Sequence, residues 1–486
     1  MTEFVEKFLA CERQHGLFRR EIGGVRYWHL IRYRVFNDIV LPQYIPMGPK
    51  HPDDELSGAP RLGFRARLAK FLFRNPATCF KKYPILFAMT PRMAAMEAGQ
   101  VGYPMLDFVA TELNTPYALL ESPRLDGYTV QPSGRKVFHW PFRKRVRDVR
   151  LSPDGPFASS ALIRKVEAEA LAEIFATEYG FDVESGRIWW MIDDLLRFRE
   201  IYGDAMHRWL KRLGVRVLVT SVAEYREHIL LTEAAHDLGI CVVELQHGTV
   251  YPEHVVYNLG DSDPKHSPDY FFSWGGHWNR QLRNYPALHA VACGNPFLDH
   301  FVATCPRTPD VGRLRVLFVS QGPIGEELSR LAVVVRDRFD PAKVEIAYKL
   351  HPNETKSWRT LYPDLAASGI RVIGNDEMNI YQCLQRADVT VGTNSTAMIE
   401  GFAWGVKALV MRNLPAGFTM EAYCRSGAAE FIEDGAHLVR RIGELADDLD
   451  GAVGFEFDSD DYFKPGAAER IARHLEDLAS GREICE

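Results

Sequence analysis

The sequence predicts an α/β protein built from two doubly wound, Rossmann-like domains that face each other across a cleft. At 486 residues, the chain is longer than one hydrophobic core normally supports. From about residue 84 onward, short apolar runs alternate with segments of helical periodicity, which is typical of βαβ units on a parallel sheet. Because this alternation occurs in two successive series, we expect two sheets, one in each domain.

Residues 1–84 are expected to form an accessory segment with a linker. Residues 1–40 combine aromatic side chains with arginines and predict a short strand followed by an amphipathic helix. The stretch 41–63 is rich in proline and glycine and is unsuited to long regular structure, so we interpret it as a linker or a loop.

Residues 65–82 alternate basic with large apolar side chains. This composition suits a helix lying on an anionic bilayer surface. The interpretation that we favour is a basic helix that packs on its own domain through Leu68, Phe71 and Leu72.

The first series predicts an N-terminal domain over residues 85–300. Its clearest unit is a strand within 215–222, a helix over 226–239 and a strand over 240–245. Further strands are predicted at 270–274 and within 289–296, where the series ends.

The second series predicts a C-terminal domain over residues 301–486. Its strands are expected within 314–323, 343–352, 370–374, 389–393 and 408–411. Its helices are expected over 326–339, 379–387 and 396–405.

Composition disfavours several classes of protein. The formal net charge is −6, so no excess of positive charge points to nucleic acid as a partner. The eight cysteines form no Cys-x-x-Cys pair, which argues against a zinc knuckle and favours free thiols in a reducing cytoplasm. The N-terminus does not resemble a signal peptide, and no run approaches the roughly 20 apolar residues of a membrane-spanning helix. We therefore expect a cytoplasmic protein, with peripheral contact at the inner membrane as an open alternative.

Three predicted strands of the C-terminal domain end in polar or glycine-bearing loops. The loops contain Gln321 and Gly322, residues 349–354, and residues 392–396. Because ligands of open parallel sheets bind beyond the carboxyl ends of the strands, these loops form the candidate ligand site.

The third loop has the composition of an anion site. An apolar strand ends in Gly392, and Asn394, Ser395 and Thr396 open the next helix, where free N–H groups and hydroxyls favour a phosphate. Glu400 follows one turn later and is expected to face the same cleft and accept hydrogen bonds from a ribose. The alternative is that Asn394 or Ser395 only caps the helix.

The second loop supplies further donors. Lys349, His351 and Asn353 alternate along a segment expected to be extended, so all three can point the same way. His351 is a candidate donor to a phosphoryl oxygen, and Lys349 adds positive charge. The alternative is a strand-end histidine that is only packed or hydrogen-bonded.

In the N-terminal domain, two strand ends carry candidate general bases. Gln246, His247 and Gly248 leave an apolar strand, and the glycine is expected to permit a tight turn that presents His247. Glu224 follows the strand end at 220–221. His247 and Glu224 are therefore the candidate bases, and the alternative is that His247 only braces its loop.

Asp193 and Asp194 follow an aromatic run and are the next candidates for a base. Paired acids on a helix more often form a solvated face.

Four motifs occur in a recognisable order along the chain. They are Ala-x-x-x-Gly-Ile-x-Val-Val-Glu-Leu-Gln-His-Gly (235–248), Cys-Gly-Asn-Pro-Phe-Leu-Asp (293–299), Lys-Leu-His-Pro (349–352) and Gly-Thr-Asn-Ser-Thr-x-x-x-Glu-Gly (392–401). In this order the chain resembles bacterial GT-B glycosyltransferases of capsule and O-antigen (lipopolysaccharide) assembly. It is similar to capsule Kdo transferases, and more distantly to glycerophosphate polymerases and UDP-GlcNAc 2-epimerases.

This resemblance implies that the C-terminal domain holds a CMP- or UDP-linked sugar donor and the N-terminal domain a glycan or glycolipid acceptor. It implies contacts of His351 and residues 394–396 with donor phosphate, of Glu400 with the ribose, and of His247 near the transferred sugar. The expected donor-binding residues are Gln321, Gly322, Lys349, His351, Asn394, Ser395, Thr396, Glu400 and Asn295.

No cofactor besides the nucleotide-sugar co-substrate and no metal ion is expected. Asp261-Ser262-Asp263 matches the pattern of an Asp-x-Asp metal motif, but it follows no apolar strand. This fits metal-independent, inverting chemistry of the GT-B type, in which helix dipoles and basic side chains take the place of a divalent ion. The alternatives are an epimerase or glycerophosphate-type transferase on the same fold, and a non-catalytic scaffold of a polysaccharide assembly complex.

Overall fold

The computed structural model describes residues 2–44, 74–89, 94–95, 101–103, 105–121, 136–139, 149–252, 254–259, 264–282, 289–307, 312–374, 377–415, 417–449 and 457–484. The chain divides into two compact units. The first unit includes the residues up to Tyr44, those from Glu55 to Cys293 and those from Gly466 onward, and the second includes Gly294–Pro465.

Within the described residues, each unit is built around one large sheet, and two short two-stranded sheets accompany them. The strands are β1 Glu21–Ile22, β2 Val25–Arg26, β3 Ile85–Met89, β4 Ala94–Ala95, β5 Val101–Gly102, β6 Tyr117–Glu121, β7 Val137–His139, β8 Val217–Thr220, β9 Cys241–Leu245, β10 Tyr270–Ser273, β11 His289–Ala292, β12 Leu314–Val319, β13 Val344–Lys349, β14 Arg371–Ile373, β15 Val389–Gly392, β16 Lys407–Met411 and β17 Ala429–Ile432.

Helices connect most of these strands. They are α1 Thr2–Gln14, α2 Trp28–Val35, α3 Asp107–Glu112, α4 Pro156–Ser159, α5 Ala161–Tyr179, α6 Ser185–Leu213, α7 Arg226–His236, α8 Gly276–Gln281, α9 Pro296–Thr304, α10 Gly325–Arg338, α11 Trp358–Leu361, α12 Pro363–Ala367, α13 Ile380–Leu384, α14 Thr396–Glu400, α15 Glu421–Arg425, α16 Gly435–Asp447, α17 Ser459–Tyr462 and α18 Ala467–Ala479.

Both large sheets are parallel and doubly wound. The sheet of the first unit has the order β11-β10-β9-β8-β3-β6-β7, and that of the second has the order β14-β13-β12-β15-β16-β17. Counted in chain order within each sheet, both read 3-2-1-4-5-6, with a seventh strand added in the first unit. This order defines a Rossmann-like sheet, so the predicted fold class of two such domains is confirmed.

The strands are mostly apolar because both faces of each sheet are covered. In β3, Leu86 and Ala88 enter one hydrophobic core and Ile85, Phe87 and Met89 enter another. Side chains alternate between the faces of a strand, so a continuous apolar run is what a two-faced sheet requires.

The last helix belongs to the first unit, and its predicted place in the C-terminal domain is wrong. The apolar face of α18 contributes Ile471 and Leu475 to the core that also contains residues of β3 and β8. Glu476 accepts hydrogen bonds from the amides of Asn114, at 2.7 Å, and Thr115, at 2.8 Å. The chain therefore returns to its first domain after completing the second.

The N-terminal segment is part of the first unit's core rather than an accessory, and a helix precedes its short strands. Phe8 of α1 and Trp28 of α2 are fully buried in this core. Arg32 of α2 forms a buried ion pair with Glu12 of α1, with Nε–Oε1 at 2.7 Å and Nη2–Oε2 at 2.8 Å. Arg32 also donates to the carbonyl of Asn258 at 3.2 Å, which joins the segment to the loop after β9.

The predicted basic helix over 65–82 is only partly within the described residues. Its described portion, from Arg74 on, contains a single 3-10 turn at Pro76–Thr78 and no α-helix. Residues 65–73 lie outside the described part of the chain. Among the described helices, none combines the length and apolar character that crossing a bilayer requires.

Candidate functional site

The candidate donor loops lie at the switch point of the second sheet. In chain order, β12 is the first strand of this sheet and β15 the fourth. The two strands are paired directly, with Phe318 opposite Val391. Beyond their carboxyl ends, Thr393 donates its hydroxyl to Oε1 of Gln321 at 3.1 Å. In doubly wound sheets the ligand crevice opens where the strand order reverses, which is at this pair of strands.

The loop after β15 changes from buried to accessible at Asn394. β15 is fully buried, whereas Asn394, Ser395 and Thr396 are all partly exposed. Ser395 precedes α14, but its side chain makes no capping hydrogen bond. Capping by Ser395, the plain alternative, is therefore not observed, and its hydroxyl remains a candidate donor to an anion.

Gly392 is closely packed at the end of β15. A Cβ at this position would lie 2.8 Å from the sulfur of Met398 and 3.1 Å from the carbonyl oxygen of Val319. The turn into α14 thus lies directly against β12. By contrast, a Cβ on Gly322 would meet no atom within 4 Å, so that predicted donor-binding glycine faces open space.

His351 lies beyond β13, the strand on the other side of β12. Its Nδ1 accepts a hydrogen bond from the amide of Asn353 at 3.3 Å. Burial lowers the pKa of His351, and Lys349 lowers it further, against the opposing effect of Glu354. The neutral ring with Nδ1 as acceptor carries its proton on Nε2, so His351 offers one N–H donor.

Glu354, which the sequence reasoning missed, fixes the turn that carries His351. Its carboxylate accepts hydrogen bonds from the amide of His351 at 2.8 Å, the hydroxyl of Ser320 at 3.0 Å and the hydroxyl of Tyr362 at 2.7 Å. Ser320 follows β12, so the network ties the ends of two strands together. A glutamate three residues after the N-cap is the available sequence signal.

The expected alternation of Lys349, His351 and Asn353 is wrong beyond His351. Residues Pro352–Glu354 form a 3-10 helix, so Asn353 is exposed and leaves the extended register. Lys349 is only 3% exposed at the end of β13. Its charge lies beneath the loop, where it acts on His351 electrostatically.

Glu400 is the last residue of α14 and is buried. Its Oε1 accepts a hydrogen bond from the hydroxyl of Tyr381 at 3.1 Å, and burial raises the pKa of Glu400 to about 7. Five residues correspond to about 140° around a helix beyond one full turn, so Glu400 and Ser395 do not share a helix face. The predicted contact of Glu400 with a ribose remains a prediction.

Asn295 is placed as a helix cap. Its side-chain oxygen accepts hydrogen bonds from the amides of Phe297 and Leu298, both at 3.1 Å, and the residue is 1% exposed. This capping role explains the asparagine before Pro296 without any contact to a nucleotide-sugar donor.

In the first unit, Glu224 is half-buried in the loop between β8 and α7. This loop follows β8, which is the fourth strand of the sheet in chain order and is paired with the first, β3. Glu224 lines a narrow cavity that has room for roughly one water molecule. The other residues that line this cavity are His29, Arg32, Tyr33, Ala223, Val256, Leu259 and His266.

Glu244, a second residue that the sequence reasoning missed, lies in the neighbouring strand β9. It is fully buried, and its Oε1 accepts hydrogen bonds from the hydroxyl of Tyr257 at 3.2 Å and the amide of Ala223 at 3.4 Å. Burial and the charge of Glu224 raise the pKa of Glu244 to about 8. A single glutamate within the apolar run Cys241–Leu245 is the signal that could have identified it.

His247 is half-buried beyond β9, next to a residue with a structural role. Gln246 accepts a hydrogen bond from the amide of Trp274 at 2.8 Å and donates one to the carbonyl of Gly248, also at 2.8 Å. Gly248 has no positive φ, and a Cβ there would meet nothing within 4 Å. The turn therefore does not use the left-handed backbone conformation that glycine permits, and Gln246 holds the loop.

Asp193 and Asp194 are buried on α6, so the expectation of a solvated face is wrong. Asp193 pairs with Arg164 at 3.2 Å, and Asp194 pairs with Arg226 at 2.5 Å. Carboxylates held by arginines in this way are occupied by their partners. This arrangement favours a structural role for both.

A separate cavity of about 420 Å³ is lined by residues of the strands β12 to β14, before the carboxyl ends of β12 and β13. It is distinct from the candidate loops, which follow the carboxyl ends of β12, β13 and β15. Its lining is Arg313, Arg315, Val316, Leu317, Glu345, Ala347, Arg371, Ile373, Met378, Cys383 and Arg386.

Within the described part of the chain, no group of three or more His, Cys, Asp or Glu side chains is arranged to hold a metal ion. Asp261-Ser262-Asp263 lies outside the described residues.

No protein-family model and no curated protein matches the chain. Solved structures, however, match the chain. UDP-GlcNAc 2-epimerase from Neisseria meningitidis, bound to UDP-GlcNAc, has 10% identity and a TM-score of 0.46, over 82% of this chain and 100% of that one. MurG from Acinetobacter baumannii has 14% identity and a TM-score of 0.47, over 81% and 99%. The lipopolysaccharide outer core galactosyltransferase WaaB has 9% identity and a TM-score of 0.44, over 82% and 99%.

Proposed function

We propose that this chain is a metal-independent glycosyltransferase that moves a sugar from a CMP- or UDP-linked donor to a growing bacterial surface glycan. The C-terminal domain binds the donor nucleotide, and the N-terminal domain supplies the acceptor site and the general base. Inversion at the transferred carbon is part of the proposal, as is a cytoplasmic protein that works at the inner membrane.

The observation that carries the proposal is the grouping of three loops at the switch point of the second sheet. Gln321 and Thr393 are hydrogen-bonded beyond the first and fourth strands. His351 lies beyond the second strand, so the three loops follow consecutive strands in the order β13-β12-β15. Neighbouring strands are about 4.8 Å apart, so the loops lie within reach of one small ligand.

The chemistry of these loops suits a phosphate ester. His351 offers a neutral N–H donor, and Ser395 and Thr396 add hydroxyl donors at the start of α14. Hydrogen-bond donors that are already oriented stabilise the charge that develops on a nucleotide leaving group. The buried ammonium of Lys349, beneath the same loops, contributes positive potential.

The base is assigned to the first unit, with Glu224 and His247 as its two candidates. Both follow adjacent strands, β8 and β9, at the carboxyl edge of the sheet. A carboxylate or an imidazole at this position can accept the proton of an acceptor hydroxyl. Asp193 and Asp194 are less suitable because arginines occupy them.

Two other activities fit the same donor loops: epimerisation of the nucleotide sugar and transfer of a glycerophosphate-type group. The similar structures include an epimerase and a glycosyltransferase, so the likeness does not choose between these activities. A non-catalytic scaffold is the third alternative.

Donor binding is tested by calorimetric titration of CMP, UDP and their sugar conjugates into the wild-type protein and His351→Ala. We expect His351→Ala to weaken binding of one nucleotide about tenfold or more, as loss of a donor to a charged group does. The matched control is His300→Ala, a half-buried histidine on α9 of the same unit. Equal affinities of wild type and His351→Ala for every nucleotide would refute the donor site.

Activity is tested by measuring nucleotide release from the bound donor with and without a mixture of oligosaccharide acceptors. A glycosyltransferase releases nucleotide faster with acceptor and forms a lengthened glycan. An epimerase releases nucleotide or changes the sugar without acceptor, and a scaffold does neither. Either of the last two results would overturn the proposed transfer.

A further inference from the structure

Glu244 is the one residue of β9 whose charge conflicts with its surroundings. Its neighbours in the strand are Val242, Val243 and Leu245, which are buried in the two cores on either side of the sheet. The paired positions on the flanking strands are Thr220 and Phe271, and Glu244 itself is fully buried. An ionised carboxylate in such a place is costly unless cations or several donors surround it.

The contacts of Glu244 are those of a neutral acid. Oε1 receives both described hydrogen bonds, from Tyr257 and Ala223. Oε2 is buried and receives no hydrogen bond from any described residue. The groups that act on Glu244 electrostatically or by hydrogen bonding are Glu224, Tyr257 and the Ala223 amide, and none of them carries a positive charge. Oε1 therefore accepts hydrogen bonds, whereas no described group donates one to Oε2. This is the pattern of a protonated carboxyl group whose proton is on Oε2.

The position of this acid relates it to Glu224. The Ala223 amide that donates to Glu244 belongs to the residue immediately before Glu224. The carboxyl group of Glu244 is therefore adjacent to the loop that carries the candidate base. The negative charge of Glu224 acts on Glu244 electrostatically.

We propose that Glu244 is a protonated positioning residue whose Oε2–H donates a hydrogen bond to the carboxylate of Glu224. Glu244 keeps its proton throughout turnover, and Glu224 is the group that accepts and releases the proton of the substrate. The hydrogen bond orients Glu224 and stabilises its ionised form, which is the form that a base requires. The catalytic part of this inference rests on the proposed function, whereas the protonation state of Glu244 does not.

The protonation state is tested without any substrate, by infrared spectroscopy of the full chain at neutral pH. A protonated carboxyl has a C=O stretch that a carboxylate lacks, and we expect Glu244→Gln to remove one such band from the wild-type spectrum. The matched control is Glu233→Gln, because Glu233 is also buried but is ion-paired with Arg199 at 2.7 Å. That substitution should remove no protonated-acid band. A wild-type spectrum with no band that depends on Glu244 would overturn the proposal.

The positioning role is tested by the pH profile of kcat/KM in Glu244→Gln and Glu244→Leu. The glutamine amide can still donate to Glu224, so it should restore most of the activity lost in the leucine variant. We expect Glu244→Leu to lower kcat roughly 100-fold, as misplacement of a catalytic group does. Without the donated hydrogen bond the pKa of Glu224 rises, so the acid limb of Glu244→Leu should move up by about one unit.

Loss of activity in Glu244→Leu with an unmoved acid limb, or equal loss in Glu244→Gln, would refute the positioning role. Circular dichroism confirms that each variant is folded before its kinetics are compared. If the infrared band is present but no transfer activity is found, the proposed function fails while the protonation state stands.

Discussion

Arg315 and Asp388 form a buried, two-point ion pair that joins β12 to the residue just before β15. The Nε–Oδ2 distance is 3.0 Å and the Nη2–Oδ1 distance is 2.8 Å. Arg307 reaches the same carboxylate at 2.9 Å. The pair therefore fixes, from the amino-terminal edge, the two strands whose opposite ends carry Gln321 and Thr393.

Replacing Asp388 by Asn should destabilise the second unit, because it leaves two arginines without their buried partner. The expected loss is about 3 kcal/mol in the free energy of unfolding. Chemical denaturation measures it, with Glu345→Gln as the control. Glu345 pairs with Arg313 at the surface, so its loss should cost about 1 kcal/mol or less.

This contribution should also depend on pH in a defined direction. The pKa of Asp388 is lowered by its hydrogen bonds to Arg315 and Arg307, which outweigh the opposing effect of burial. A lowered pKa gives stability that is present above the unfolded-state pKa and is lost as pH falls through the folded-state pKa. The difference between wild type and Asp388→Asn should therefore shrink in acid; a constant difference would contradict the ion pair as its source.

Replacing Gly392 by Ala should displace the start of α14. The added methyl group would meet the sulfur of Met398 and the carbonyl of Val319, so we expect a loss of about 1–3 kcal/mol from overpacking. Gly322→Ala is the control for stability, because open space surrounds that glycine. Thermal unfolding compares the two, and equal effects would show that packing at β15 does not limit this turn.

Nucleotide affinity should rise with pH around neutrality if Glu400 accepts hydrogen bonds from a ribose. Burial raises the pKa of Glu400 to about 7, so its ionised fraction increases through this range. When only the carboxylate binds, the dissociation constant should fall about tenfold from pH ~6 to pH ~8. Calorimetric titration at several pH values measures this dependence.

Two variants bear on this pH dependence. Glu400→Gln should abolish it, since an amide does not titrate. Tyr381→Phe should shift it to higher pH, because the hydroxyl of Tyr381 stabilises the ionised carboxylate. A wild-type affinity that is flat across neutrality would exclude the carboxylate of Glu400 from ribose binding.

Replacing Arg32 by Met should unfold or strongly destabilise the first unit. It would leave Glu12 without its partner in a site where both side chains are only 2% exposed, at an expected cost of about 3–5 kcal/mol. The double variant Arg32→Met, Glu12→Leu should recover part of that loss, because it leaves no isolated charge. Additive losses in urea denaturation would show that the two residues act independently.

The strands and the strand-end loops could be predicted because both depend on local sequence. Runs such as Val389–Gly392 are mostly apolar since the sheet buries both of their faces, and accessible polar residues begin where burial ends. Glu244 and Glu354 have a local signal for their positions, but their contacts, like those of Asp193, could not be predicted in this way. Their partners are Tyr257, Tyr362 and Arg164, which are distant in the chain or brought close only by the fold.

The helical start of the chain and the place of α18 were missed for a related reason. Amphipathic periodicity shows that a helix has an apolar face but does not identify the core that this face enters. Arg32 illustrates the difficulty, because an arginine in a short helix predicts a surface, whereas Glu12 and two carbonyl groups draw it into the interior.

The return of α18 to the first unit has a consequence for biosynthesis. Ribosomes add about 5–20 residues per second, and early domains ordinarily fold as soon as they emerge. Here one flank of the first unit's large sheet stays open until α18 is translated, after the entire second unit. A nascent polypeptide that has not yet reached α18 therefore exposes the apolar surface around Ile85 and Phe87 that this helix covers in the folded unit.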